Sequence, residues 1–273
     1  MAAHFVGIDC GSSFCKAVLL GERGIEALSV LPTGWNMGEC GGALIRKIIQ
    51  RSHVADERQA KRTGLPFATA IPVIATGYGR EKIAGNHKIL SEISAHARGA
   101  EFLFPGVRTV IDIGGQDSKI ISVEDGRVKD FQMNDKCAAG SGRFLEITCR
   151  RLDIDSLLID EFLKPEKAVS LNSTCAVFVE SEIIGLLAKG VSREEIIGGV
   201  AASTATRIAA LAGRMNLLTP AVLTGGLSES NGICRALSQA LGITVIPLQQ
   251  GRYAGAIGAA CTGLYQETRS SWQ

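Results

Sequence analysis

The sequence predicts an α/β protein of two related lobes, and three observations predict it. Short apolar runs ending in glycine or a carboxylate alternate with stretches of helical period along the chain. The spacing Asp-x-Gly-x-x-x-x-Lys occurs twice, as Asp9–Lys16 and as Asp112–Lys119. Each copy lies on a strand–turn–strand pattern, and a repeat over about a hundred residues points to two like units, each bringing one anion-facing turn to a cleft between them. At 273 residues the chain is long enough for one large domain or two of roughly 130 residues, with a sizeable core in either case.

Taken in order, Phe5–Asp9 is an apolar run ending in a carboxylate. Gly11-Ser12-Ser13 turns it, Lys16–Leu20 returns, and Glu22-Arg23-Gly24 leads into a third strand, Ile25–Leu31. Leu44, Ile45, Ile48 and Ile49 at helical spacing predict a helix over Gly38–Arg51. Ile71–Ala75 reads as a strand followed by the loop Thr76-Gly77-Tyr78-Gly79, and Ile89–Phe104 as a second helix. Val110–Lys119 repeats the opening hairpin, Gly126 ends its second strand, and Val128–Met133 forms the next. Helices are expected over Gly142–Leu152, over Cys175–Lys189 with Gly190 closing it, and from Ser192 to about Met215. The last opens on Ser192-Arg193-Glu194-Glu195, a capping box. Pro220–Gly226 is a strand ending in two glycines; a helix over Asn231–Leu241, a strand over Ile243–Pro247 and a small-residue-rich helix over Ala254–Gln266 complete the chain.

Composition excludes several function classes. The net charge of +2 and the lack of a basic run argue against nucleic acid. The longest run free of charge, Thr63–Gly79, carries Pro66 and Pro72 and falls short of the ~18 apolar residues that span a membrane. His4 and Phe5 lead straight into a strand, without the pattern of a signal peptide, so a cytoplasmic location is expected. Eight cysteines, at 10, 15, 40, 137, 149, 175, 234 and 261, are too scattered for a secreted disulfide scaffold, and there is no Cys-x-x-Cys pair for a zinc ribbon.

Chemistry concentrates at Asn134-Asp135-Lys136-Cys137-Ala138-Ala139-Gly140-Ser141-Gly142. A cysteine stands there among small residues where a loop passes into a helix, and helix-start amides favour negative charge, hence a thiolate. Asn172-Ser173-Thr174-Cys175 is a second such arrangement, with Ser173 or Thr174 as helix cap. Either cysteine alone reads more readily as a small buried residue; the pair shifts the balance toward a site. In the two hairpin turns, glycine lets amides face an anion and the serines add donors. Asp9 and Asp112 cannot attract phosphate directly and suit Mg²⁺ held through water, or the attacking water itself. Thr224-Gly225-Gly226 leaves a gap beside the backbone in which adenine could lie.

The order of Asp9-x-Gly-Ser-Ser, Asp112-x-Gly-Gly-Gln-Asp and Thr224-Gly225-Gly226 resembles the phosphate-1, phosphate-2 and adenosine motifs of the acetate kinase, sugar kinase, Hsp70 and actin superfamily. Within it, Asn134–Glu146 and Ser173-Thr174-Cys175-x-Val177-Phe178-x-Glu180-Ser181-Glu182 resemble the activators of 2-hydroxyacyl-CoA dehydratases, relatives of the benzoyl-CoA reductase ATPase subunits. That resemblance implies a two-lobed actin-like ATPase fold of duplicated ribonuclease H-like lobes. Residues 1–105 would carry the phosphate-1 turn, with the terminal helix, about 254–273, packed back on them; residues 106–253 would carry the phosphate-2, cluster and adenosine motifs. It implies ATP or ADP with Mg²⁺ at Gly11, Ser12, Ser13, Lys16, Gly114, Gly115, Gly225 and Gly226. Asp9, Asp112, Gln116 and Asp117 would serve hydrolysis, Asp9 holding Mg²⁺ through water. It further implies a homodimer with one [4Fe–4S] cluster shared between Cys137 and Cys175 of each subunit. ATP hydrolysis would be coupled to one-electron transfer from a ferredoxin or flavodoxin to a 2-hydroxyacyl-CoA dehydratase or related reductase.

Cys10 and Cys15 depart from the family, which usually carries apolar or small residues there, and they read as packing residues, as do Cys40, Cys149, Cys234 and Cys261. His4, His53, His87 and His96 share no metal-ligand spacing. Glu180 and Glu182 read as helix-face residues, with Glu180 also within reach of the cluster loop. A small-metabolite kinase or an ATP-dependent assembly protein of the same superfamily are the alternatives. The first needs a catalytic base that the sequence does not offer, and the second has no use for paired cysteine motifs.

Overall fold

The computed structural model describes residues 4–51, 71–84, 88–135, 138–163, 168–171, 176–213 and 215–270. The chain divides into two compact units, one of Met1–Pro105 with Tyr253–Gln273, the other of Gly106–Arg252.

In the first unit β1 (His4–Cys10), β2 (Phe14–Gly21) and β3 (Gly24–Pro32) form an antiparallel meander. Helix α1 (Met37–Arg51) follows, then β4 (Val73–Thr76) and a two-residue β5 (Lys88–Ile89), both parallel to β1. The sheet order is β3-β2-β1-β4-β5. Helices α2 (Glu92–Leu103) and α8 (Ala254–Ser270) complete the unit.

Strand β1 shows how the sequence builds this layer. Val6, Ile8 and Cys10 pack with Cys15, Ala17 and Leu19 of β2 and Leu44, Ile45, Ile48 and Ile49 of α1. Phe5, on the opposite parity, packs with Val18, Leu20 and Ile74 and with Ala256, Ile257 and Ala260 of α8. The period of two thus assigns alternate residues to different helices, and each fully buried Leu or Ile contributes about 1.5–3 kcal/mol. Gly7 has no side chain because α8 leaves no room for one: a Cβ there would lie 1.9 Å from the Ala256 carbonyl oxygen. The small residues of α8 have the same cause, since a Cβ at Gly258 would lie 1.8 Å from the Ala95 carbonyl oxygen of α2.

Helix α2 begins at Glu92, three residues after the Ile89 expected from the sequence. Ser91 is extended and its Oγ accepts from the Ser94 N–H at 3.2 Å, so the cap sets the helix start, and Lys88–Ile89 pair with Ile74–Ala75 of β4 instead.

The second unit repeats this topology. Strands β6 (Thr109–Ile113), β7 (Ser118–Glu124) and β8 (Arg127–Asn134) form the meander, and β9 (Ala221–Gly225) and β10 (Val245–Pro247) add on its other side. The order β8-β7-β6-β9-β10 matches the first sheet position for position. Its helices are α3 (Gly142–Arg151), α4 (Ile159–Phe162), α5 (Ala176–Ala188), α6 (Arg193–Ala212) and α7 (Asn231–Leu241). The capping box opens α6: Ser192 accepts from the Glu195 N–H, and the Glu195 carboxylate accepts from the Ser192 N–H at 3.0 Å. The helix ends at Ala212, short of the Met215 expected. Ile197, Val200, Ala201, Ala205 and Ile208 of α6 meet Phe144 and Leu145 of α3 in the core. Helix α4, one turn long, has no sequence period to announce it; its Asp160 carboxylate accepts the Asn231 N–H at 2.8 Å and the Gly232 N–H at 3.2 Å, capping α7.

Candidate active site

Asp9, near the end of β1, pairs across the sheet with Lys16 of β2 on one side and Thr76 of β4 on the other. Its Oδ2 accepts from Lys16 Nζ at 3.2 Å. The turn between them is held from behind by Thr33, whose Oγ1 donates to the Gly11 carbonyl at 2.7 Å and whose N–H donates to the Ser13 carbonyl at 2.9 Å. Among the described residues, Asp9 Oδ1 and Thr76 Oγ1, both buried, have no hydrogen-bond partner. A buried carboxylate oxygen in that state is costly unless an ion or water meets it, so the donor set fits a hydrated cation. Gly77, at φ +87°, is required beside it: a Cβ would lie 2.5 Å from Asp9 Oδ1.

The second unit carries the same constellation with one difference. Asp112 pairs with Lys119 of β7 and Thr224 of β9. Lys119 Nζ donates to Asp112 Oδ2 at 3.3 Å and to Asp117 Oδ1 at 2.8 Å, and here Thr224 Oγ1 donates to Asp112 Oδ1 at 3.0 Å. Gly225, at φ +91°, stands where Gly77 stands in the first unit. A Cβ at Gly226 would meet nothing within 4 Å. Gln116 is exposed at the turn tip, with Gly114 and Gly115 half-buried beside it. The sequence repeat Asp-x-Gly-x-x-x-x-Lys is therefore longer in space than in sequence. It includes Thr76-Gly77 and Thr224-Gly225, and Thr76 was missed because a single threonine ending a strand carries no signal without its register partner.

The second turn is bonded to the start of α3. Gly142 N–H donates to the Gly114 carbonyl at 2.8 Å, Ser141 Oγ donates to the Ala138 carbonyl at 2.8 Å and the Gly115 carbonyl at 3.4 Å, and Ser118 Oγ donates to the Gly140 carbonyl. Ser141 is the N-cap of α3, yet its hydroxyl serves this junction rather than the helix. Cys137 and Cys175, together with Lys136, Ser173 and Thr174, lie outside the described residues, as do His53 and His87. The helices that follow the two cysteines open at Gly142 and Ala176. Glu180 pairs with Arg151 of α3 at 3.1 Å on an exposed face.

The remaining cysteines are mostly buried. Burial pushes the Cys149 thiol up to about 11 and those of Cys234 and Cys261 up to about 12. Cys10 and Cys15 touch, sulfur to sulfur, at 2.9 Å. The Cys10 sulfur and then burial raise the Cys15 thiol far above its ordinary range.

Residues 6–263 match the BadF/BadG/BcrA/BcrD ATPase family. The chain is 40% identical over 264 residues to the (R)-2-hydroxyglutaryl-CoA dehydratase activating ATPase of Acidaminococcus fermentans, covering 95% of this chain and 96% of that one. It is 41% identical over 263 residues to the activator of lactoyl-CoA dehydratase of Anaerotignum propionicum, covering 94% and 96%. Among solved structures, the activator of the 2-hydroxyisocaproyl-CoA dehydratase from Clostridium difficile with bound ADPNP superposes with a TM-score of 0.84 at 33% identity, covering 98% of this chain and 97% of that one. The duplicated α/β units are thus those of an actin-like ATPase. Among the described residues no helix is long and apolar enough to cross a membrane.

Proposed function

Because the chain belongs to the BadF/BadG/BcrA/BcrD ATPase family, we propose that it is an ATP-driven activator of a 2-hydroxyacyl-CoA dehydratase or a related reductase. Relatives bearing such names support this reading. The observation that carries it is the bond from Gly142 N–H to the Gly114 carbonyl, which ties a phosphate-facing turn to the helix that follows Cys137.

In this reading the nucleotide-binding residues are Gly11, Ser12, Ser13 and Lys16, together with Gly114, Gly115, Gly225 and Gly226. Asp9 Oδ1 and Thr76 Oγ1 hold the hydrated Mg²⁺, which gives two otherwise orphaned atoms a common partner. Asp112, locked by Lys119 and Thr224, fixes the second turn. Asp117 is clamped by Lys119, so Gln116, exposed at the tip, is the group that orients the attacking water. A change of the Gly114–Gly115 turn between ATP and ADP states pulls directly on Ser141 and Gly142. Moving a two-state element from 1:99 to 99:1 takes about 5.5 kcal/mol of differential affinity.

Cys137 and Cys175 of two protomers would hold one [4Fe–4S] cluster, whose chemistry is to carry one electron at low potential. A ferredoxin or flavodoxin supplies the electron and the dehydratase or reductase receives it. The test is anaerobic purification with iron and sulfide analysis. A brown homodimer that loses its iron in Cys137→Ala and Cys175→Ala, and that activates a dehydratase only with ATP, is expected. Iron-free wild-type protein that still hydrolyses ATP would reduce the reading to a nucleotide-cleaving protein without a cluster.

A further inference from the structure

Cys10 ends β1, and Cys15 stands directly opposite it on β2. Both residues are wholly buried. Gly11 N–H donates to the Phe14 carbonyl at 3.2 Å, so Gly11 and Phe14 are a hydrogen-bonded pair and, by the alternation of antiparallel ladders, Cys10 and Cys15 are a non-hydrogen-bonded one. Such pairs hold their Cα atoms about 4.5 Å apart, within the ~4.4–6.8 Å that a disulfide spans. The sulfurs already lie 2.9 Å apart, and closing to a bond of about 2.05 Å needs a movement of less than an ångström.

The pair is also wired into the first turn. Thr33 Oγ1, which clamps the Gly11 carbonyl, lies 3.6 Å from Cys15 Sγ. The Cys10 carbonyl accepts the Gly79 N–H at 2.8 Å, joining it to the loop after Thr76. A contraction between the sulfurs is therefore felt on both sides of Asp9.

We propose that Cys10 and Cys15 form a reversible dithiol–disulfide pair that closes under a small diffusible two-electron oxidant, hydrogen peroxide, and lowers the affinity of the first turn for nucleotide. The nucleotide half of this statement rests on the ATP-site reading above. One thiol gives up its proton and its sulfur attacks a peroxide oxygen; the O–O bond breaks and the departing hydroxide leaves as water, giving a sulfenic acid. The second sulfur attacks that sulfur, the S–O bond breaks, and the hydroxyl leaves as a second water with the second thiol's proton. Two electrons pass from the thiols to peroxide. Access comes through local opening of the Gly11–Phe14 turn, whose residues are half-buried or exposed.

The first sixteen residues hold both cysteines, with no Lys or Arg before Lys16, so trypsin releases the pair on one peptide. Anaerobic protein is treated with equimolar peroxide, quenched with N-ethylmaleimide in denaturant and digested, and ADP affinity is measured before and after. A peptide two hydrogen atoms lighter and free of maleimide is expected. ADP affinity should fall about tenfold, the worth of one charged hydrogen bond. Dithiothreitol should reverse both changes, and Cys15→Ser should abolish the peroxide-dependent fall. A peptide carrying two maleimides after peroxide, or a disulfide that leaves ADP affinity unchanged, overturns the proposal. Reduced protein that binds no ADP would sink the ATP-site reading instead, while the peptide mass still decides whether the disulfide forms.

Discussion

Thr224 Oγ1 donates to Asp112 Oδ1 at 3.0 Å, whereas Thr76, in the same register position of the other sheet, leaves Asp9 Oδ1 unmet. Two copies of one arrangement have thus taken different tasks. One closes on itself and the other leaves two buried oxygens unmet among the described residues.

The same substitution should therefore give opposite signatures. Thr224→Val removes a donor from a buried carboxylate and should cost about 1–3 kcal/mol of stability by denaturant melting. Thr76→Val deletes a hydroxyl that has no hydrogen-bond partner among the described residues, so stability should hold or rise slightly. Steady-state ATP hydrolysis by Thr76→Val should nevertheless fall by about tenfold or more, with a raised Mg²⁺ requirement. Equal losses of stability in both variants would remove Thr76 from the site.

Lys119 is the largest fully buried side chain among the described residues, at 1% exposure, between Asp112 and Asp117. Lys119→Met keeps the bulk but takes the buried cation from between Asp112 and Asp117, and about 3–5 kcal/mol of unfolding free energy should be lost. Lys16→Met breaks the corresponding pair at a more open position, where Lys16 retains 16% side-chain exposure, and should cost less. Urea titrations of both variants decide the order.

Ser141→Ala cuts the hydroxyl links to Ala138 and Gly115 while leaving the turn's own backbone intact. ADP affinity should stay within about twofold, because no phosphate-facing group is removed, while ATP-dependent activation of the partner enzyme drops. A parallel fall in both would mean that Ser141 only supports the turn.

The buried thiols set the alkaline limit. Cys261, buried in α8, is held up to about 12 against an ordinary value of 9.0. The folded state therefore keeps a proton that the unfolded chain releases. Its contribution is whole below pH 9 and is lost as pH rises toward 12, at a slope of about 1.4 kcal/mol per pH unit for one group. Melting temperatures should fall steeply over that window, and Cys261→Ala should flatten the fall.

Much of this was legible in the residues. The apolar run of β1, the Ser192–Glu195 box and the doubled Asp-Lys hairpin each follow from local chemistry, so reading the chain in order found them. Lys119 stood only as the end of the repeated spacing, because a lysine says nothing of its burial until two carboxylates close around it. Thr76 stands beside Asp9 only through strand register, Asp160 caps a helix remote in sequence, and the contact of Cys10 with Cys15 depends on which strand pairs face each other without hydrogen bonds. Register and tertiary partnering, not propensity, separate what was read from what was missed.

Helix α8 closes over Phe5, Val18, Leu20 and Ile74 and presses its backbone on Gly7, although about 150 residues of chain lie between α2 and it. A nascent chain emerging at 5–20 residues per second therefore waits roughly 8–30 s with that apolar face uncovered. The intervening unit, compact within Gly106–Arg252, can fold meanwhile. The amino-terminal unit is thus the last to mature on the ribosome, and its uncovered sheet is where a chaperone would bind during synthesis.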